Sequence, residues 1–398
     1  RAERVGSTLV AALALLADCS TPQAAPRQAV GPVSPGAVAT EAGDPAATAG
    51  PTETPTLTPA PTTVPTATPG PGLVELLQTP QAQYTGADLE GAAQSYEQLA
   101  TLYPHRAEPW IGQAAVAQRT GDVEAALAYL EEAVAADPGS FEAWHQLGVL
   151  YEQREDYEQA ARVYGAMLQI APADPDLYLA RAMALARLGD GQAAAQDLMQ
   201  AQSLDPNREY AWLNVAGAAY GSRAYETTIE VLSAGIEAYP AAAGLRVLRG
   251  QAYMATGNAE AALADFDAAV QADAGNLSAH YWRGMALDAL GRAEEAVASF
   301  DRAGELGVAP GAGGLTAGFE AMAQAARVMA RTDADAAYAY LQEKAITHGQ
   351  PPPILFGYAL IEYERGNRSA ALDTLNRLID LSSYLPAYYW RGKINAEL

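Results

Sequence analysis

From residue 73 onward the chain alternates between stretches of about twelve residues, with apolar side chains recurring three and four apart, and short polar punctuations. That spacing predicts amphipathic helices in pairs and an all-α fold. Five prolines, Pro104, Pro138, Pro172, Pro206 and Pro240, fall 34 residues apart without a slip. In the window from Phe141 to Asp174 and its equivalents, other residues keep the same phase. Trp110, Trp144, Tyr178 and Trp212 share the fourth position. Small residues hold the eighth (Ala114, Gly148, Ala182, Ala216, Gly250, Gly284), and alanines hold the twentieth except at Thr228. Bulky residues hold the twenty-fourth: Tyr96, Leu130, Tyr164, Leu198, Leu232, Phe266 and Phe300. Gly121, Gly189, Gly257 and Gly291 lie between the paired stretches, where a left-handed residue ends the first helix. A single pair cannot bury its apolar face alone, so stability must come from stacking.

The period is not kept throughout. Pro80 interrupts the first helix of the opening window. After Phe300 the phase breaks across Gly307 to Gly318, and Gly291 and Gly366 lie 75 residues apart, two periods plus seven. The expected organisation is therefore a repeat array over 73–306 (about seven repeats), a Gly-rich break at 307–318 acting as a tolerated loop or a hinge, and degenerate repeats with a closing helix over 319–398.

Trp144, Leu147, Gly148, Tyr151, Ala160 and Pro172, with Tyr164 where Phe is usual, resemble the tetratricopeptide repeat, W-x2-L-G-x2-Y … A-x3-F … P. Tyr281-Trp282-Arg283-Gly284 and Tyr389-Trp390-Arg391-Gly392 resemble the opening of that family's helix A. The resemblance implies a right-handed superhelical solenoid of about eight to nine helix pairs. It also implies a partner-binding groove lined by helix A at the second, fifth, sixth, ninth, twelfth and thirteenth positions. Carried onto this chain, those positions include His145, Met183, Tyr210, Asn214, Tyr220, Met254, Tyr281, Trp282 and Met285. Beyond the break they include Tyr363 and Trp390, with Phe356 and Tyr389. The family's carboxylate clamp needs Lys and Asn at recurring groove positions, and here Asn214 stands without a Lys. Aromatic and Met side chains anchor extended peptides, although the same side chains serve equally well as packing between repeats.

The first fifth of the chain reads differently. Residues Thr8 to Ala17 form an apolar run too short to span a bilayer and suited to a signal peptide, so 1–19 reads as a leader. Cys19 follows at once and resembles the acylated cysteine of a bacterial lipobox, although Asp18 stands where Gly, Ala or Ser is usual. Cleavage near Ala14 or Ala17, or an uncleaved anchor, are the alternatives. Ser20 to Gly72 holds twelve of the 25 prolines, eleven threonines and no aromatic residue, which predicts a disordered, extended Pro/Thr-rich linker over 20–72.

Charge and chemistry narrow the function. A formal charge of −23 argues against a nucleic-acid surface. Four scattered histidines and the lone Cys19 offer no metal-ligand spacing, and no nucleophile, base and oxyanion site assembles. The sequence therefore indicates no cofactor and no catalysis. It indicates a lipid-anchored scaffold outside the cytoplasm, in a bacterial cell envelope, that binds a protein or extended peptide and resembles the repeat lipoproteins that assist assembly. The alternative is an accessory glycan-binding subunit of an envelope polysaccharide system, with Tyr281 and Trp282 stacking on sugars. Oligomeric state is left open, with a monomer favoured.

Overall fold

The computed structural model describes residues 72–309, 314–348 and 351–398. The expected leader, Cys19 and, but for Gly72, the expected linker lie outside them. Among the described residues every regular element is a helix. Two short helices, α1 (Leu73–Leu76) and α2 (Gln78–Thr85), pair with α3 (Leu89–Leu102), and the interruption falls just before Pro80. Next come α4 (Ala107–Thr120) with α5 (Val123–Ala136), α6 (Phe141–Gln153) with α7 (Tyr157–Ile170), and α8 (Pro175–Leu188) with α9 (Gly191–Leu204). The same period continues through α10 (Glu209–Gly221) with α11 (Tyr225–Ala238), α12 (Ala243–Ala255) with α13 (Ala259–Ala272), and α14 (Leu277–Ala289) with α15 (Ala293–Val308). After it come α16 (Leu315–Met329) with α17 (Ala334–His348), α18 (Pro352–Glu364) with α19 (Arg368–Leu381), and then α20 (Leu385–Glu397). Even-numbered helices from α2 on are the A helices and odd-numbered ones from α3 the B helices of an all-α solenoid.

Local chemistry sets each boundary. The side chains of Asp88, Asp122, Asp156, Asp190 and Asn258 cap α3, α5, α7, α9 and α13 by accepting from the backbone N–H three residues on. Such a cap is worth about 1 kcal/mol. The residue before each cap is left-handed. Gly121, Gly189, Gly257, Gly291 and Gly366 have φ between 76° and 89°, and where the glycine is missing Ala87, Glu155 and Arg223 take φ of 66°, 58° and 62°. The turn geometry thus persists where the glycine does not, held by the helices on either side.

A and B helices interlock by a size-matched contact sixteen residues apart. Where the eighth position is glycine, an aromatic ring covers it: a Cβ added to Gly148, Gly250 or Gly284 would come within 3.1, 2.5 and 2.8 Å of Tyr164, Phe266 and Phe300. Where the eighth position is alanine (Ala114, Ala182, Ala216), the twenty-fourth is Leu130, Leu198 or Leu232, and all are buried. One methyl group on helix A excludes a ring on helix B, as dense packing requires.

The seventh position adds a polar counterpart. Arg181 makes a bidentate pair with Asp197 (2.7 and 2.6 Å) and Arg249 one with Asp265 (2.8 and 2.7 Å), each joining helix A to its own helix B. Arg249 also donates to Ser233, and Arg283 to both Asp267 and Ser299, so these guanidiniums reach the preceding helix B as well. In two repeats the fourth position ties helix A to the loop before it: Trp144 Nε1 donates to the Pro138 carbonyl and Tyr178 Oη to that of Pro172.

The glycine-rich stretch differs from the expected break. Gly307 lies inside α15, and Leu315 to Gly318 open α16, with 310–313 outside the described residues. These glycines let two helices cross closely: a Cβ on Gly307 would lie 2.5 Å from the Gly318 Cα, and one on Gly304 would lie 2.8 Å from Met322. The reason is steric, since only backbone without side chains permits this approach. Every residue of α16 from Gly318 to Val328 is buried.

The size matching generates a prediction. Gly250→Ala should destabilise the protein by about 1–3 kcal/mol through overpacking against Phe266. Adding Phe266→Leu should recover a large part, because it recreates the alanine–leucine pairing of other repeats. A double-mutant cycle by denaturant unfolding measures the coupling; additive effects would sink the explanation.

Candidate functional site

The groove positions divide into two groups. His145 on α6, Met183 on α8, and Tyr210 and Asn214 on α10 remain accessible along three successive A helices; Tyr210 is 51% exposed. His145 lies against Phe141, with ring centroids 6.5 Å apart. Around Met183 the surface dips into a shallow pocket of about 100 Å³ lined by Glu152, Tyr157, Met183, Ala184 and Arg187. Arg187 Nη1 donates to the Tyr157 hydroxyl at 2.7 Å, and its guanidinium lies over that ring at 5.0 Å. Glu152 accepts from Tyr164, whose hydroxyl burial and this carboxylate push well above the usual tyrosine range. The pocket therefore offers a cationic donor and a carboxylate acceptor above an apolar floor. Glu152 and Arg187 occupy the twelfth and thirteenth positions of their windows. They were available to sequence reasoning, which named aromatic, Met, His and Asn side chains there and passed over the charged ones.

The second group corrects the sequence expectation. Tyr220, Met254, Tyr281, Trp282, Met285 and Trp390 are buried, as is Phe356, so they line no open groove. Trp282 stacks on Phe266 with centroids 6.4 Å apart, and Tyr281 meets Trp282 and Phe300 edge-on at 5.8 and 5.6 Å. Trp390 packs edge-on against Tyr363 at 5.1 Å. Tyr363 is half-buried, donates to Glu397 and lies 4.1 Å beneath the Arg368 guanidinium, so it too is engaged within the fold. Large apolar side chains at positions facing a neighbouring helix are driven into that seam, each by about 1.5–3 kcal/mol. The sugar-stacking use of Tyr281 and Trp282 falls with the same observation.

Beyond α14 the A-helix side is filled by a polar network. Arg327 on α16 donates to Asp288 at 2.6 Å and Glu364 at 3.3 Å, and Arg331 pairs with the same two carboxylates, linking α14, α16 and α18. Burial pushes the Asp288 carboxyl upward, but the Arg327 and Arg331 charges outweigh it and hold it below the ordinary aspartate range. Glu320, also on α16, has a different fate. It is buried and accepts from the Tyr384 hydroxyl before α20, yet burial dominates and pushes its carboxyl up to about 7.

Because the folded protein holds that proton more tightly than an unfolded chain, the associated stability is present below pH ~4.5 and lost as pH rises through ~7. Glu320→Gln should therefore gain stability relative to the parent by roughly 2–3 kcal/mol between pH 5 and pH 8. Urea unfolding of both proteins at several pH values checks this; parallel profiles would refute it.

Among the described residues, no group of three or more His, Cys, Asp or Glu side chains could hold a metal ion, and no helix is long and apolar enough to cross a membrane. Family models described as tetratricopeptide repeat match residues 147–212 and, in a second form, 81–141, 111–175 and 247–307. Human protein O-mannosyl-transferase TMTC1 is 25% identical over 138 residues, covering 34% of this chain and 16% of that protein. Small glutamine-rich tetratricopeptide repeat-containing protein 2 of Mycosarcoma maydis is 29% identical over 86 residues, covering 22% of this chain and 24% of that one. The chain thus spans only 16% and 24% of these two relatives. Among solved structures, a tetratricopeptide repeat protein from Parabacteroides merdae is 19% identical with TM-score 0.35, covering 62% of this chain and 98% of the other. YrrB, described as having an unusual peptide-binding site, is 22% identical with TM-score 0.32, covering 47% and 96%. The family's models overlie the helix pairs whose period, caps and A–B interlock have been described, and the matched residues, 81–212 and 247–307, are tetratricopeptide repeats.

Proposed function

We propose that this protein is a non-catalytic scaffold that holds an extended segment of a partner protein along α6, α8 and α10, outside the cytoplasm. Repeats of this family support protein interaction in general. The observation that carries the finer reading is the contrast along one array: His145, Met183, Tyr210 and Asn214 stay open where later A helices are packed shut. The open strip combines an amide at Asn214, which can both donate to and accept from a peptide backbone, with the Met183 pocket and its flanking Glu152 and Arg187. Such a surface suits a peptide that inserts one side chain and bonds through its main chain. The location rests on the sequence alone, through the apolar run at Thr8 to Ala17, Cys19 and the Pro/Thr-rich stretch. Together these support a bacterial lipid-anchored protein that organises an envelope complex.

Photo-crosslinking in the native cell tests the groove. A benzophenone side chain replacing Tyr210 or Asn214 should capture a discrete polypeptide, whereas one replacing Met199, exposed on helix B, should not. Equal capture from all three positions, or capture from none, would defeat the groove assignment. For the anchor, metabolic labelling with a clickable fatty acid should mark the parent and not Cys19→Ala. Equal labelling of both excludes acylation at that residue.

A further inference from the structure

Helix α10 holds a glycine that the packing does not require. Gly217 lies inside the helix, where glycine is disfavoured relative to alanine because its backbone loses the most freedom on ordering. On neighbouring A helices that cost has a visible cause: a Cβ on Gly250 or Gly284 would collide with the ring of Phe266 or Phe300. A Cβ on Gly217 would meet nothing within 4 Å, and the residue is exposed.

Gly217 stands at the ninth position of its window. Met183 holds that position on α8 and Gln251 on α12, so the three form one row across adjacent A helices. Gln251 is unusual as well. It is only 7% exposed, yet its amide makes no hydrogen bond among the described residues, and neither amide atom is sealed from the surface. The other buried glutamines are satisfied: Gln113 donates to the Ala93 carbonyl, and Gln324 accepts from Arg327. A buried polar group is ordinarily paired, and one left open within the fold marks a place where something else supplies the bond.

We infer that the open strip continues onto α12, where Gly217 and Gln251 form a recognition site for the main chain of an extended partner segment. With no side chain at Gly217, the segment's backbone lies directly against α10. The Gln251 amide, whose carbonyl accepts and whose NH2 donates, then pairs with an N–H and a C=O of that backbone. Asn214, three residues before Gly217 on the same exposed face of α10, offers a second amide of the same kind. These neutral groups fix the occupant. They match a peptide backbone with free donors and acceptors, whereas a helix has already paired its own. Packed helices lie about 8–10 Å apart and an extended strand advances about 3.3 Å per residue, so the row is met about every three residues. A side chain seated at Met183 thus places main chain over Gly217 about three residues away and against Gln251 about six residues away. This inference rests on the strip proposed for α6, α8 and α10, and adds to it two residues and the partner's conformation.

A phage-displayed library of random peptides, panned on the protein and counter-selected on Tyr210→Ala, supplies the probe: one selected peptide, made synthetically with a fluorescein label. By anisotropy, Gln251→Met and Gly217→Leu should each weaken its binding about tenfold, the worth of one or two main-chain hydrogen bonds. Thermal unfolding of both variants should match or exceed the parent, since neither removes a bond made within the chain. Methylating the peptide's amide nitrogens one at a time should find a position that weakens binding to the parent and has no further effect on Gln251→Met. Unchanged affinity in both variants, for a peptide that Tyr210→Ala releases, overturns the main-chain site and leaves the strip standing. A library that yields no peptide dependent on Tyr210 defeats the strip and this inference with it. A selected peptide that becomes helical on binding, read by circular dichroism, overturns the extended occupant.

Discussion

The contact between the eighth position of each helix A and the twenty-fourth of its helix B governs the architecture. It determines how near two helices approach, and it does so by volume: glycine beneath a ring, alanine beneath leucine. The pairing is exclusive because interiors are packed near crystal density and a single methyl has nowhere to go. Since the two residues are always sixteen apart, one short-range match repeated along the chain yields a long object. The Arg–Asp pairs at neighbouring positions add a directional constraint to the same junction. Guanidinium forks must meet carboxylates in plane, which resists sliding of helix B along helix A.

That geometry also decides where the surface can bind. Large side chains facing the seam between successive A helices are taken up by packing, and Tyr220, Met254, Tyr281 and Trp282 show this. Further along, Arg327, Arg331, Asp288 and Glu364 join three A helices, and Glu320 meets Tyr384 across the fold. What stays open is the strip where these positions carry His145, Met183, Tyr210 and Asn214, with Glu152 and Arg187 beside it. Binding capacity in this scaffold is thus the residue of packing: a side chain is available to a partner only where its neighbours leave it unclaimed.

Much of the fold was legible in the sequence because its determinants are local and periodic. The prolines at 34-residue intervals, the turn glycines and the eighth- and twenty-fourth-position residues were all visible. The pairing of glycine with aromatic and alanine with leucine lay in those same two series, although neither alone reveals it. The caps Asp88, Asp122, Asp156 and Asp190 were equally periodic and carry a direct physical meaning. The glycines at 307 and 318 were misread because a glycine serves a loop and a close helix crossing alike, and only a neighbour distinguishes them.

By itself, then, the sequence determined the helix pairs, their period and the all-α solenoid, since backbone propensity, capping and steric size act within a few turns of chain. Which aromatic residues stay accessible was decided only by the tertiary structure. A tyrosine or tryptophan on helix A carries the same apolar surface whether it lines a groove or fills a seam. The choice rests on how closely the next helix A approaches, which depends on contacts summed over neighbouring repeats.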